Sequence, residues 1–343
     1  MERAASDNDM TADDSVRRSR WRRKRWAALL VVLGALLLAG LGLWLSRERI
    51  VDDIIRDQLE TYDIPASYTI ERIGGTTQIL SDVVLGDPDK PDFTAERLVV
   101  TLRHRFGIPE IGGVVLVKPR LYASYRDGEL SLGRLDPLVF GGDDSPASLP
   151  NLNFEVRDGR ALLATDYGPV GIKLAGSGLL SHGWQGSIAA SAPELATASC
   201  GIENATAFGK LTSVSGEPQF AGPVRFAALT CEESGLALDD YAMELSVVAD
   251  TALANPAIEA RLEGGETRFG DQSAAALLGT VRAQIRDRLT TARFTLAARG
   301  VDTPQALAAV LTAEGQMRAT DGFDHVQLDS NLEGNGLRLG RST

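Results

Sequence analysis

The sequence has little of what enzymes and nucleic-acid binders use. Its three histidines, His104, His182 and His325, are widely separated and none stands in an H-E-x-x-H or similar metal-binding spacing. The stretch LAGSGLL at 174–180 lacks the first glycine of a nucleophile elbow, which leaves Ser177 as a turn or bulge residue. The carboxylates Asp87, Asp89 and Asp92 cluster in GDPDKPD, but Lys90 lies among them and two prolines already account for a tight turn, so a charged turn is read there rather than a calcium site. These absences point away from an enzyme and from a metal or organic cofactor. Basic residues are scarce beyond the N-terminus. Residues 1–49 hold 10 Lys/Arg and 6 Asp/Glu, leaving 25 basic and 40 acidic residues in the body. A body balance of −15 argues against nucleic acid as a partner.

What the N-terminus does have is one long apolar run. From Trp26 to Trp44 no charge interrupts it, and at ~1.5 Å per residue a helix of that length spans roughly 28 Å, close to the hydrocarbon thickness of a bilayer. Seven basic residues between Arg17 and Arg25 outweigh Arg47 and Arg49 on the far side, which orients the N-terminus to the cytoplasm. The expected organisation is a basic cytoplasmic tail (1–25), a transmembrane anchor (26–46), an amphipathic helix (47–65) and an exported body (66–343), with a sub-boundary near 140–151 in FGGDDSPASLPN. The amphipathic helix places Ile50, Val51, Ile54, Ile55 and Leu59 on one stripe before Pro65.

From Tyr68 onward short alternating segments dominate, the period of strands with one dry face. Leu98, Val100 and Leu102 alternate with Arg97, Val99, Thr101 and Arg103, a mostly wet face, and similar runs contain Val115 and Val117, Phe154 and Val156, Ile172 and Leu174, Met243, Leu245 and Val247, and Phe294 and Leu296. Asp127-Gly128 and Asp158-Gly159 each lie between such runs and predict hairpin turns. YGPVGIKLAG at 167–176 is echoed by AGPVRFAALT at 221–230, each read as a Gly-Pro turn opening a strand. Two short helices are expected, one capped by Thr303 with Pro304 in its first turn and one starting at Ser273 before AAALLG. Neither is long enough to cover an extended sheet, so the dry faces must close as a sandwich, close as a barrel or stay open to something apolar. Cys200 and Cys231 are the only cysteines, and in an exported body they are expected to pair.

The anchor and amphipathic helix, with VVLGDPDKPDFTAERLVVTLR at 83–103 and VVLVKPRLYASYRDGELSLGRLDPLVF at 114–140, resemble the N-terminal part of the YdbH-type, AsmA-like proteins of Gram-negative bacteria. DGRALLATDYGPVGIKLAGSG at 158–178 and FAGPVRFAALTC at 220–231 extend the resemblance more weakly. It implies a mainly β fold: a transmembrane and an amphipathic helix followed by a long twisted antiparallel sheet curled into a groove. It also implies a single-pass protein of the cell inner membrane whose periplasmic groove carries phospholipid toward the outer membrane, with an outer-membrane or periplasmic protein as a further partner. Under that reading the alternating residues named above line the lipid path. The alternative is an envelope-assembly factor whose closed β-sandwich binds a partner by strand addition.

Overall fold

The computed structural model describes residues 64–339, apart from 75, 106–107, 128, 138–148, 252–254, 287–288 and 321–324. The expected tail, anchor and nearly all of the amphipathic helix therefore lie outside the described residues, as does most of the 140–151 segment. Among the described residues no helix is long and apolar enough to cross a membrane.

The described chain forms one sheet of nineteen strands. In order they are β1 (Ala66–Ile73), β2 (Thr77–Asp87), β3 (Lys90–Arg105), β4 (Ile108–Val117), β5 (Arg120–Arg126) and β6 (Glu129–Ser131). After a 3-10 turn at Gly133–Leu135 come β7 (Asn153–Thr165), β8 (Gly168–Leu179), β9 (Gln185–Ala196), β10 (Cys200–Val214), β11 (Glu217–Cys231) and β12 (Leu236–Val248). The last are β13 (Ala257–Gly264), β14 (Thr267–Phe269), β15 (Gln272–Arg286), β16 (Leu289–Asp302), β17 (Ala306–Thr320), β18 (Val326–Asn335) and β19 (Arg338–Leu339). Most neighbours are consecutive and antiparallel, because the connections are tight turns that reverse the chain. Among the described pairings β1 bonds only to β2, and β18 and β19 only to β17, which leaves the sheet with two ends.

Several expectations need correction. The sheet is mixed, because β7 runs parallel to both β4 and β5. Those two strands are halves of one bent path joined at Lys118-Pro119, where Lys118 adopts φ 49° and Pro119 has no amide hydrogen to continue the ladder. β7 begins at Asn153 beside Gly113 of β4 and ends at Thr165 beside Tyr125 of β5, so it runs in the same direction as both. Asp127 does sit at the β5–β6 turn, but Asp158 lies inside β7. Its left-handed φ of 49° accompanies a register shift between Val156 and Gly159, so it makes a bulge and bends the strand without reversing it. Gly168-Pro169 opens β8 as expected, whereas Gly222-Pro223 lies in the middle of β11.

Neither expected helix forms. Ser273 and AAALLG belong to β15, and the segment after Thr303 is β17. Thr303 does act as a local cap, but of a hairpin: its Oγ1 accepts from the Ala306 amide at 3.0 Å and lies 2.8 Å from the Ala306 carbonyl oxygen, to which it donates. Alanine and leucine favour helix in isolation, yet here each strand is held on both edges by ladders, and tertiary pairing overrides the local preference.

Candidate functional site

Following the register from strand to strand shows how the apolar side chains are arranged. Starting at Ile70, the row runs through Leu80, Leu98, Leu116, Val156, Gly176 and Gly186. It continues through Leu211, Phe220, Val247, Ile258, Ala283, Ala292, Met317 and Leu328. No polar residue interrupts it from β1 to β18. A parallel row runs from Ala66 through Leu85, Phe93, Leu121, Ala161, Ile172, Ala190 and Ala207. It goes on through Val224, Met243, Leu262, Gly279, Leu296 and Ala313 to Leu332. Between them in β12–β17 lie Leu245, Ala260, Val281, Phe294 and Gly315.

Residues paired across a ladder share a face, so these rows make one continuous apolar surface. At about 4.8 Å per strand and roughly 7 Å between rows it measures roughly 65 by 20 Å, on the order of 1,300 Å². That is more than twice the largest apolar patch of an ordinary soluble monomer, about 300–600 Å².

Burial tells whether anything covers it. Near β2 and β3 a small cluster of Leu80, Val83 and Ala95 is packed by Tyr68, Leu85, Phe93 and Leu98. Farther along, Val156 is 5% exposed, but Val247, Ile258, Val281 and Met317 are only half-buried, and Leu328 and Leu332 are 60% and 65% exposed. No large side chain in the described structure is fully buried. A closed sandwich would bury these positions under a second layer, and such a layer is not seen among the described strands.

The opposite face is polar. Its rows include Lys210, Ala221, Ser246, Glu259, Arg282, Arg293 and Gln316. Arg282 Nε donates to Glu259 at 2.9 Å, and Lys118 Nζ to Glu96 at 2.6 Å, all four side chains being well exposed. The Lys118 ammonium, by hydrogen bond and by charge, holds the Glu96 carboxyl below the usual carboxylate range. Such surface pairs keep the face wet and add little stability. A depression of about 1010 Å³ across β12–β17 is lined mainly by side chains of this face, among them Glu259, Arg282, Arg293 and Arg318, and so it is not part of the apolar surface.

Of the residues singled out by alternation, Leu98, Val100, Phe154, Val156, Ile172, Leu174, Met243, Leu245, Val247, Phe294 and Leu296 share the apolar face. Leu102 follows two residues beyond Val100 and pairs with Ile111 across a bulge. Val115 and Val117 do not share that face: they pair with Val99 and Arg97, and it is Val114 and Leu116 that stand opposite Val100 and Leu98. VVLV is apolar at every position, so its parity could not be read without the partner strand. Sequence reasoning also missed Leu211, Phe220, Ile258, Val281 and Met317, although Ile258 and Val281 stand in plain alternation in IEARLE and VRAQIR and could have been found there.

Cys200 and Cys231 stand directly opposite each other on β10 and β11 and are joined, with a Cα–Cα distance of 4.0 Å. Gln78, 3% exposed and opposite Val100, is the one buried side chain among the described residues with an unpaired polar atom, its Nε2. No group of three or more His, Cys, Asp or Glu able to hold a metal occurs among the described residues. Ser177 faces Glu155 and Gln185 across its two ladders, His182 Nδ1 accepts from the Ser215 amide at 3.3 Å, and His104's side chain lies outside the described residues.

Residues 35–340 match the family model described as YdbH-like, intermembrane phospholipid transport protein YdbH. No curated protein and no solved structure matches the chain.

Proposed function

Because the chain belongs to the YdbH-like family of intermembrane phospholipid transport proteins, we propose that its uncovered apolar face is the path along which phospholipid acyl chains pass. Residues 26–46 would hold the chain in the inner membrane with the N-terminus cytoplasmic, and the strands would carry the path through the periplasm, the bulges bending the sheet into a groove around the lipid.

One observation carries the reading: the apolar rows continue strand after strand while their large side chains remain half-exposed. The energetics fit. At about 0.8 kcal/mol per methylene, an acyl chain fully exposed to water costs about 10 kcal/mol or more, and a face that covers half of it removes about half of that cost. Contacts of this kind have no preferred direction, so the chain slides from one row position to the next without breaking any bond. The phosphate headgroup remains at the wet margin, and no nucleophile or cofactor is required. The protein gains as well, since an apolar patch of this size in water needs an apolar partner.

Native mass spectrometry of the full-length protein, released gently from membranes, tests the proposal. Bound phospholipid that survives removal of the detergent is the expected result. A chain that is folded and lipid-free would contradict it.

A further inference from the structure

Several of the largest side chains on the apolar face do not stand up from it. Trp184 lies across β8, with Nε1 donating to the Phe154 carbonyl at 3.0 Å, and a Cβ added to Gly176 would fall 2.5 Å from its ring. An added Cβ on Gly209 would meet the Phe220 ring at 2.6 Å, one on Gly315 the Phe294 ring at 2.8 Å, and one on Gly279 the Leu296 side chain at 2.5 Å. At each of these three a backbone carbonyl oxygen is at least as close: that of Ala221 at 2.5 Å, that of Asp329 nearer still, and that of Thr295 at 2.5 Å. At Gly264 the three nearest atoms to an added Cβ all belong to the Tyr241 ring. Tyr241 is buried, stacked parallel on Phe226 with ring centroids 5.4 Å apart, and its hydroxyl is hydrogen-bonded to Thr267 Oγ1.

These pairings share a geometry, the bulky residue pairing with or lying diagonal to a glycine on a neighbouring strand, and at Gly264 it is the missing Cβ alone that lets the ring lie down. A ring lying flat rises about 3.5 Å above the atoms beneath it, one van der Waals contact, whereas a ring standing upright reaches roughly twice as far. An acyl chain has a thickness of the same order. Height above the sheet therefore decides whether a row is open.

We infer that Gly264 is a positioning residue for lipid passage, acting through Tyr241 to keep the apolar face low enough for acyl chains to lie on it. This rests on the lipid-path reading above. Gly264 is the clearest case, because the obstacle to a side chain there is the ring itself and no backbone atom is among the three nearest. An alanine at that position tips Tyr241 away from the sheet into the row that continues through Leu277 and Ala298. Val247, six residues along β12, lies about 20 Å from the lifted ring and its row stays clear.

The test uses the full-length protein in cells, with a photo-crosslinking residue at Leu277 or at Val247 and captured phospholipid normalised to protease-resistant chain. Gly264→Ala is expected to abolish most capture at Leu277 and to spare Val247. Adding Tyr241→Ala to Gly264→Ala is expected to restore capture at Leu277, since the obstacle is gone although packing is poorer. Unchanged capture at Leu277 in Gly264→Ala would overturn the clearance role alone. Loss at both positions, or loss that truncating the ring does not reverse, would assign Gly264 to folding only. No capture at either position in the unmutated protein would sink the lipid-path reading and this inference with it.

Discussion

Replacing a single valine on the apolar face by aspartate separates an open surface from a covered core. Val247 and Val156 belong to the same row, but Val156 is 5% exposed and Val247 is half-buried between Phe220 and Ile258. Full burial of a valine is worth about 1.5–3 kcal/mol, so Val247→Asp forfeits about 1 kcal/mol of it. Its carboxylate keeps access to water and adds little further penalty, for a total of about 1–2 kcal/mol. At Val156 the same carboxylate is shut among apolar neighbours without a partner, which costs several kcal/mol, about 3–5. Pulse proteolysis of the full-length protein across a urea series reads both values. The expected result is a small shift of the midpoint for Val247→Asp and a large one, or no folded protein, for Val156→Asp. Equal, severe losses would mean that a second layer covers Val247 and that the reasoning is wrong.

Other consequences are accessible to simpler measurements. The Cys200–Cys231 bond closes a hairpin with a sequence separation of 31, and by chain entropy it should stabilise the fold by about 3–4 kcal/mol; reduction should lower the urea midpoint accordingly, and labelling of two free thiols in the denatured, unreduced protein would show the bond absent. Burial raises the Tyr241 phenol above its usual value, the Thr267 hydrogen bond opposes that shift and the Asp239 charge adds to it. The folded protein therefore holds this proton more tightly than the unfolded chain, so the associated stability is complete below about pH 10 and is lost as pH rises through the folded value; phenolate absorbance should show a late-titrating tyrosine that disappears in Tyr241→Phe. Asn204 adopts φ 53° within β10, so Asn204→Val should destabilise by about 1–2 kcal/mol while Asn204→Gly is tolerated, as thermal melts would show.

The strand character of the body was legible because charged and apolar residues alternate in segments such as TAERLVVTLR, and that pattern also identified which face of β3 is dry. Where the pattern was uniform it failed. VVLV gave no parity, and Ala-rich β15 and β17 read as helices because alanine's preference is local while their strand state is imposed by two neighbours apiece. Asp158-Gly159 announced a left-handed residue correctly, but whether such a residue reverses a chain or bends it depends on what pairs beyond it. The glycines beneath Tyr241, Phe294 and Leu296 carried no signal, since a glycine in a strand looks the same whether or not a ring rests on it.

The most direct test of the lipid path compares two adjacent residues. Leu245 lies in the apolar rows and Ser246 on the opposite, polar face of the same strand. With a photo-crosslinking residue at one or the other in the full-length protein in cells, the account predicts covalent phospholipid on Leu245 and none on Ser246. Equal capture at both would report only closeness to a membrane, and a folded protein that captures phospholipid at neither would contradict the account.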